Sequence, residues 1–195
     1  MKRTTINRMS LAIRKKLTEF FSEYPEKVFE SGQKIINGDQ EKNSHVYFVE
    51  KGYVRLFYES EHGEDIMIHI FKEYSYFPMA LILAGQKNIF TFEALSTVQV
   101  RVAPREAVLS FIKHEPDVLY ELTSRLSSGL MYLSEAMCHM FFVSAQKRII
   151  NFLSIYARRF GIENGEAWVT IPFVLRHKEI ADSIWAGMSS LKSNS

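Results

Sequence analysis

The chain has 195 residues, 47% of them hydrophobic and 24% charged, with a formal net charge of +2. That is the make-up of an ordinary globular protein of one large or two small domains. No apolar run approaches the roughly 18 residues that span a bilayer, and the basic N-terminus up to Lys16 has no long apolar stretch of a secretory kind, so no membrane role is expected. With one cysteine, Cys138, an internal disulfide and a cluster held by several cysteines are both excluded, and a reducing cytoplasm is the simplest setting.

Apolar residues at Leu11, Ile13, Leu17, Phe20, Phe21 and Tyr24 recur at helical spacing. They predict a helix over 7–24, closed by Pro25 because proline disfavours α geometry in the residue before it. From Val28 to Ala103 the period drops to two. Val46 and Phe48 alternate with Tyr47 and Val49, and Val54, Leu56 and Tyr58 with Arg55 and Phe57. Ile66, Ile68 and Ile70 alternate with Met67, His69 and Phe71, and Val98, Val100 and Val102 with Gln99 and Arg101. Successive strand side chains point to opposite faces, so this region is a series of short strands. Gly32, Gly38, Gly52, Gly63 and Gly85 fall where the chain reverses. An antiparallel barrel or sandwich is predicted, with His69 a side chain at its surface.

A switch to helix follows. Pro104 suits a first helical turn, Arg105 to Lys113 make a short helix, and Pro116 opens a longer one. Along it Leu119, Leu122, Leu126, Gly129, Leu133, Ala136 and Met140 are spaced 3-4-3-4-3-4, the pattern of a coiled-coil seam. Leu130 and Met137 widen the stripe, so the helix touches both a partner and its own barrel. An internal core helix is the other reading. A length of about 25 residues, roughly 37 Å, favours a dimer seam.

Ser144 is placed to cap a helix carrying Ile149, Phe152, Leu153, Tyr156 and Phe160 and ending at Gly161. A polar turn (Glu163 to Glu166), a strand (Ala167 to Ile171) and a helix from near Arg176 with Ile180, Ala181 and Ile184 on one face follow. Strand, short helix, turn and second helix is how a winged helix-turn-helix begins. From Phe141 onward Lys147, Arg148, Arg158, Arg159, Arg176, Lys178 and Lys192 face four acids, Glu163, Glu166, Glu179 and Asp182. That excess suits a phosphate-facing surface and equally an ordinary solvated one.

Several of these segments resemble one family. Gly32-Gln33-Lys34, Gly38-Asp39, Val46-Tyr47-Phe48-Val49, Lys51-Gly52-Tyr53-Val54-Arg55-Leu56 and Gly63-Glu64 are similar to the sensor barrel of the cyclic-AMP receptor and fumarate-nitrate regulator (Crp/Fnr) superfamily. So is Pro104-Arg105-Glu106-Ala107, the helix after it. Ser144 to Gly161, with Arg148 and Phe152-Leu153, looks like the family's hinge and first DNA-domain helix. His177-Lys178-Glu179-Ile180-Ala181-Asp182 looks like the first helix of its helix-turn-helix. The resemblance runs in order over roughly 25–187. It implies an α+β fold made of a cyclic-nucleotide-binding-type antiparallel β-roll (double-stranded β-helix), a long dimerisation helix and a partial winged helix-turn-helix. It also implies three parts: a sensor barrel with N-terminal helix over 1–115, the dimerisation helix and hinge over 116–143, and DNA-binding residues over 144–195. The function implied is a cytoplasmic, homodimeric regulator of transcription that binds DNA under control of its barrel, with RNA polymerase as a further partner and no enzymatic activity.

Two departures refine that expectation. Cyclic-nucleotide binders of the family hold the phosphate with a Gly-Glu pair and an Arg followed by Ser or Thr, a guanidinium and backbone N–H groups neutralising the anion. Here Phe77-Pro78 and Asn88-Ile89 stand at those places, so the phosphate clamp is missing and Pro78 removes a backbone donor. The ligand-pocket candidates Tyr76, Phe77, Pro78, Met79, Asn88, Ile89 and Phe90, with Phe92 nearby, leave two readings open. They line a pocket for a small apolar effector, or they fill the barrel. Haem, iron–sulfur and metal sensing are not expected: Cys138 stands alone, and His45, His62, His69, His114, His139 and His177 form no close ligand pair. No cofactor is implied. A cupin-type barrel enzyme would need clustered His and Glu ligands, and neither a nucleophile motif nor a phosphate-binding glycine loop is present, so catalytic residues are not expected.

The second departure lies at the C-terminus. The family's recognition helix starts Ser-Arg-Glu-Thr-like, Arg and Glu reaching base edges. Trp185-Ala186-Gly187-Met188-Ser189-Ser190-Leu191-Lys192 matches that stretch, with Met188 and Ser189 in place of Arg and Glu. By comparison with the family, roughly 25 residues of recognition helix and wing are missing. His177, Lys178, Ser189, Ser190 and Lys192 are the DNA-contact candidates, the later ones toward phosphate. The alternative expectation is a truncated, DNA-binding-deficient module for ligand binding and dimerisation.

Overall fold

The computed structural model describes residues 9–38, 43–59, 65–165, 168–177 and 180–181, the side chains of 139 and 140 excepted. Helix α1 (Leu11–Ser22) starts at Ser10, whose hydroxyl accepts the Ile13 amide at 3.3 Å, an ordinary N-cap. Leu17 and Phe21, four apart, form its buried face. Then come strands β1 (Glu26–Phe29), β2 (Lys34–Ile36), β3 (His45–Lys51), β4 (Val54–Glu59), β5 (Asp65–Phe71) and β6 (Tyr76–Phe77), a short helix α2 (Met79–Ala84), and strands β7 (Thr91–Ala94) and β8 (Val98–Pro104). All pair antiparallel, in one sheet of order β1-β8-β3-β6 and another of order β2-β7-β4-β5. Helices α3 (Arg105–His114), α4 (Pro116–Phe142) and α5 (Ala145–Phe160) follow, and a small hairpin of β9 (Ile162–Glu163) and β10 (Val169–Thr170). The class is α+β, as expected.

Strand β3 explains how the layers stack. Val46, Tyr47, Phe48 and Val49 are all buried, although alternate side chains leave a strand on opposite faces. Tyr47 and Val49 enter the space between the sheets with Ile36, Val54, Phe77, Phe92, Val98 and Val100. Val46 and Phe48 turn the other way and meet Phe21 of α1, Val108 and Ile112 of α3, and Val118 and Leu122 of α4. Phe21 stacks on Phe48 with ring centroids 4.7 Å apart. Lys16 of α1 bonds Glu115 at 2.6 Å and Asp117 at 2.8 Å, tying α1 to the start of α4.

The C-terminal elements differ in detail from expectation. Part of the expected polar turn is strand β9, paired with a β10 shorter than the stretch over 167–171 predicted. Ser144 sits at the N-cap of α5 in extended geometry, but its side chain makes no capping bond; its carbonyl accepts the Arg148 amide instead. Gly161 is also extended, φ −66°, rather than left-handed. A glycine is needed there for space, since a Cβ would run into the Ala157 carbonyl and the Val169 side chain. Helix α5 folds back on β5: Phe152, Tyr156 and Phe160 pack with Met67, Ile70 and Phe173. No helix among the described residues is long and apolar enough to cross a membrane.

Candidate functional site

Helix α4 has 27 residues, about 40 Å at the α-helical rise, and only its first part is covered by the chain's own core. Val118 and Leu122 are buried there, Leu122 at 5% exposure. From Leu126 to Cys138, and again at Phe141 and Phe142, the helix is exposed, although it carries Leu126, Leu130, Met131, Leu133, Met137, Phe141 and Phe142; Leu130 is 64% exposed. Of the predicted seam, Leu119, Leu126, Gly129, Leu133 and Ala136 are open to solvent. Leu122 instead faces inward, into the cluster that α4 shares with α1, α3 and the barrel, and the Met140 side chain lies outside the described residues. A groove of about 960 Å³ runs along α4, and its lining residues, among them Tyr120, Ser124, Met131 and Glu135, all belong to that one helix. It is an uncovered face rather than an enclosed pocket.

Beneath the covered part of α4 lies a polar cluster that the sequence reading missed. Glu121 is 6% exposed and its carboxylate accepts from Arg125 Nε at 2.7 Å. Arg125 also reaches the Tyr74 carbonyl at 3.5 Å. Tyr76 of β6 lies within electrostatic reach of both charges, and its buried hydroxyl oxygen has no hydrogen-bond partner among the described residues. Burial pushes the Tyr76 phenol well above its ordinary value, Arg125 opposing and Glu121 reinforcing the shift. Buried polar atoms are nearly always satisfied, so this hydroxyl is the exception in the cluster. The sequence signal was the i, i+4 acid–base pair Glu121 and Arg125 on the helix, which reads as a surface pair until the barrel is placed against it.

The pocket candidates divide between two faces of the barrel wall. Tyr76 and Met79 belong to the cluster under α1, α3 and α4. Phe77 belongs to the space between the sheets, fully buried and stacked on Phe92 at 4.9 Å and Tyr47 at 5.5 Å. Neighbours on a strand part company in this way. Pro78 is buried behind a cis Phe77–Pro78 bond. Asn88, 1% exposed, spends its amide on the backbone: Nδ2 donates to the Asn37 and Phe90 carbonyls at 3.2 and 2.8 Å, and Oδ1 accepts the Phe90 amide at 3.0 Å. Ile89 points to solvent and Phe90 is half-buried. Inside the barrel the rings fill one another's space, whereas Tyr76 and Met79 lie on the α4 side of the same wall.

Of the DNA-contact candidates, His177 is exposed at the start of a helical segment, while Lys178, Ser189, Ser190 and Lys192 lie outside the described residues. His69, expected at the barrel surface, is instead half-buried, with Arg159 of α5 at 2.9 Å. No group of three or more His, Cys, Asp and Glu that could hold a metal occurs among the described residues.

Residues 26–115 match the family described as a cyclic nucleotide-binding domain. A global nitrogen regulator from Nostoc sp. (strain PCC 7120) is 31% identical over 144 residues, 71% of this chain and 63% of its own length. One from Synechococcus elongatus is 30% identical over 162 residues, 80% of this chain and 70% of its own. Against the Nostoc regulator, then, the match spans less than two thirds of the relative. Among solved structures, the c-di-GMP-responsive global regulator of Xanthomonas campestris superposes with a TM-score of 0.70 at 14% identity, covering 92% of both chains. A transcriptional regulator of the CRP/FNR family from Thermus thermophilus does so at 0.64 and 20% identity, covering 86% of this chain and 81% of its own. At such identities the superpositions establish the fold.

Proposed function

The chain belongs to the cyclic-AMP receptor and fumarate-nitrate regulator superfamily, and from that premise we propose that it is a dimeric, DNA-binding regulator of transcription. In this reading 1–115 form the sensor barrel, 116–143 the dimerisation helix and hinge, and 144–195 the DNA-binding part, and the protein works in the cytoplasm without an enzymatic activity. The observation that carries it is α4: a helix that leaves Leu126, Leu130, Leu133 and Met137 uncovered presents apolar surface of the kind that marks an interaction site. Pairing two such helices along the Leu119, Leu126, Gly129, Leu133 and Ala136 line removes it. The global nitrogen regulators similar to this chain support regulation of transcription as its role.

The effector reading follows from the same helix. A cyclic nucleotide does not fit the family's usual phosphate position, because Phe77 is committed to the barrel core and Asn88 to its own loop. A small effector sits instead at the junction of Tyr76, Met79, Glu121 and Arg125, apolar in its body and polar where it meets the Tyr76 hydroxyl. Its occupancy shifts α4 relative to the barrel and so sets the spacing of two DNA-reading ends, about one helical turn of DNA apart.

Light scattering and gel shifts test this together. The full chain is expected to run as a dimer and to retard DNA with an affinity that falls steeply as salt rises. Leu126→Asp with Leu133→Asp is expected to give monomers that keep the barrel's melting temperature and lose tight DNA binding. A wild-type monomer at micromolar concentration removes the proposal.

A further inference from the structure

Helix α5 rests on β5, and the centre of that contact is polar. We propose that His69 and Arg159 form a proton-sensitive catch that holds α5 on the barrel and lets it go when the imidazole is protonated. Arg159 Nη2 lies 2.9 Å from His69 Nε2 and 3.3 Å from the Ile70 carbonyl oxygen. A guanidinium has only donors, so Nε2 accepts, and the docked imidazole is the neutral tautomer carrying its proton on Nδ1. Lys72, one residue past β5, donates to the Arg159 carbonyl at 3.0 Å, and its ammonium lies 5.8 Å from the centre of the Phe160 ring. Met67, Ile70, Phe152, Tyr156, Phe160 and Phe173 close around these groups.

Protonation removes the acceptor and sets one cation against another. The charged and titratable groups facing the catch are Arg125, Tyr132 and Glu135 from α4, Tyr156 and Arg159 from α5, and Lys72 from the end of β5. The two that act on His69 are both cations: burial first, then Arg159 and Arg125, lower its pKa to about 3 from 6.5. Burial likewise lowers Arg159 from its usual value, so a further positive charge on the imidazole is resisted.

The sign follows from linkage. Above pH 6.5 the imidazole is neutral whether α5 is docked or free, and docking is at full strength. As pH falls below 6.5 the freed imidazole takes a proton that the docked one refuses, and release gains up to about tenfold per pH unit until the docked value is reached. Between pH 7.5 and 5.0 this amounts to about thirtyfold, set by the free imidazole because the docked value lies well under 5. Phe173 packs in the same cluster as α5, so releasing the helix weakens the hold on the residues around Phe173. The catch concerns docking within one chain and stands whether or not the protein binds DNA.

Amide hydrogen exchange on the full chain, corrected for intrinsic rates at each pH, tests it. The peptide over 150–160 is expected to open about thirtyfold more at pH 5.0 than at 7.5, with β3 and β8 equally protected at both. His69→Gln keeps a carbonyl acceptor for Arg159 and does not titrate, so its α5 protection is expected to be independent of pH. Equal α5 opening at the two pH values, the same pH response in His69→Gln, or loss of β3 and β8 protection along with α5 each overturns the catch. An NMR titration of the His69 ring in the native protein checks it without a variant: a neutral ring down to pH 5 supports the catch, and a midpoint near 6.5 sinks it.

Discussion

The hydroxyl of Tyr76 and the carboxylate of Glu121 are both buried under α4, yet they stand in opposite thermodynamic positions. Glu121 has its partner in Arg125 at 2.7 Å, whereas the Tyr76 oxygen has none among the described residues. An unsatisfied buried group carries its desolvation cost unrelieved, and deleting it is neutral or favourable. Tyr76→Phe is therefore expected to leave stability unchanged or raise it by about 1 kcal/mol. Arg125→Leu strands a buried carboxylate and is expected to cost about 1–3 kcal/mol; the partial exposure of Arg125, 34% at its side chain, keeps the loss below that of a fully buried pair. Urea denaturation of the two variants gives both numbers. A Tyr76→Phe variant less stable than wild type by more than the error of the measurement shows that the hydroxyl already has a partner. At this scale the site was half legible. Tyr76 and Met79 stood out as apolar residues near the family's nucleotide position, but Glu121 and Arg125 did not, because their meaning depends on a barrel wall more than forty residues earlier in the chain.

Elements were the most legible level, since alternation, heptad spacing and glycine placement are local. Strand β3 and helix α4 fall where period two and the 3-4 ladder place them. What periodicity could not supply was which part of a long apolar stripe meets its own chain, and Leu122 went to the core for that reason. The turn between β3 and β4 shows how far a single residue can be read. Gly52 has φ +93°, and a Cβ there would collide with the Thr97 carbonyl. Gly85, which ends α2 at φ +64°, has nothing within 4 Å of the same position. Both were legible as turn glycines, but only the structure separates them. Gly85→Ala carries the strain of a left-handed residue alone, about 1 kcal/mol. Gly52→Ala adds a backbone collision that no side-chain rotation relieves and is expected to cost at least about 2 kcal/mol. Thermal melts of the two variants should differ in that order, and equal losses would show that the turn yields to make room.

At the scale of the whole molecule, the three apolar clusters among the described residues are joined unequally. The cluster between the sheets and the one beneath the helices share strands β3 and β8, so they stand or fall together. The third joins α5 to the barrel through Met67 and Ile70 of β5, with Tyr53 and Leu95 beside them, and few strand residues hold it. Its destination was illegible in the sequence: the spacing of Phe152, Tyr156 and Phe160 announces a buried face and says nothing of a strand some eighty residues earlier. Elements attached through so few contacts open locally, without global unfolding. Phe160 is the test position, because its ring meets Phe173 at 5.3 Å, Tyr156 at 5.4 Å and Tyr53 at 6.1 Å. Phe160→Ala removes these contacts at an expected cost of about 3 kcal/mol, about a hundredfold in the opening of α5. Trypsin cuts after Arg158 and Arg159 only when the helix opens, so cleavage there should quicken by that factor while cuts within the barrel keep their rate. The barrel's melting midpoint should barely move. A variant that melts many degrees lower with no preference for Arg158 and Arg159 would mean that α5 and the barrel form one cooperative unit, and independent release of α5 would then be impossible.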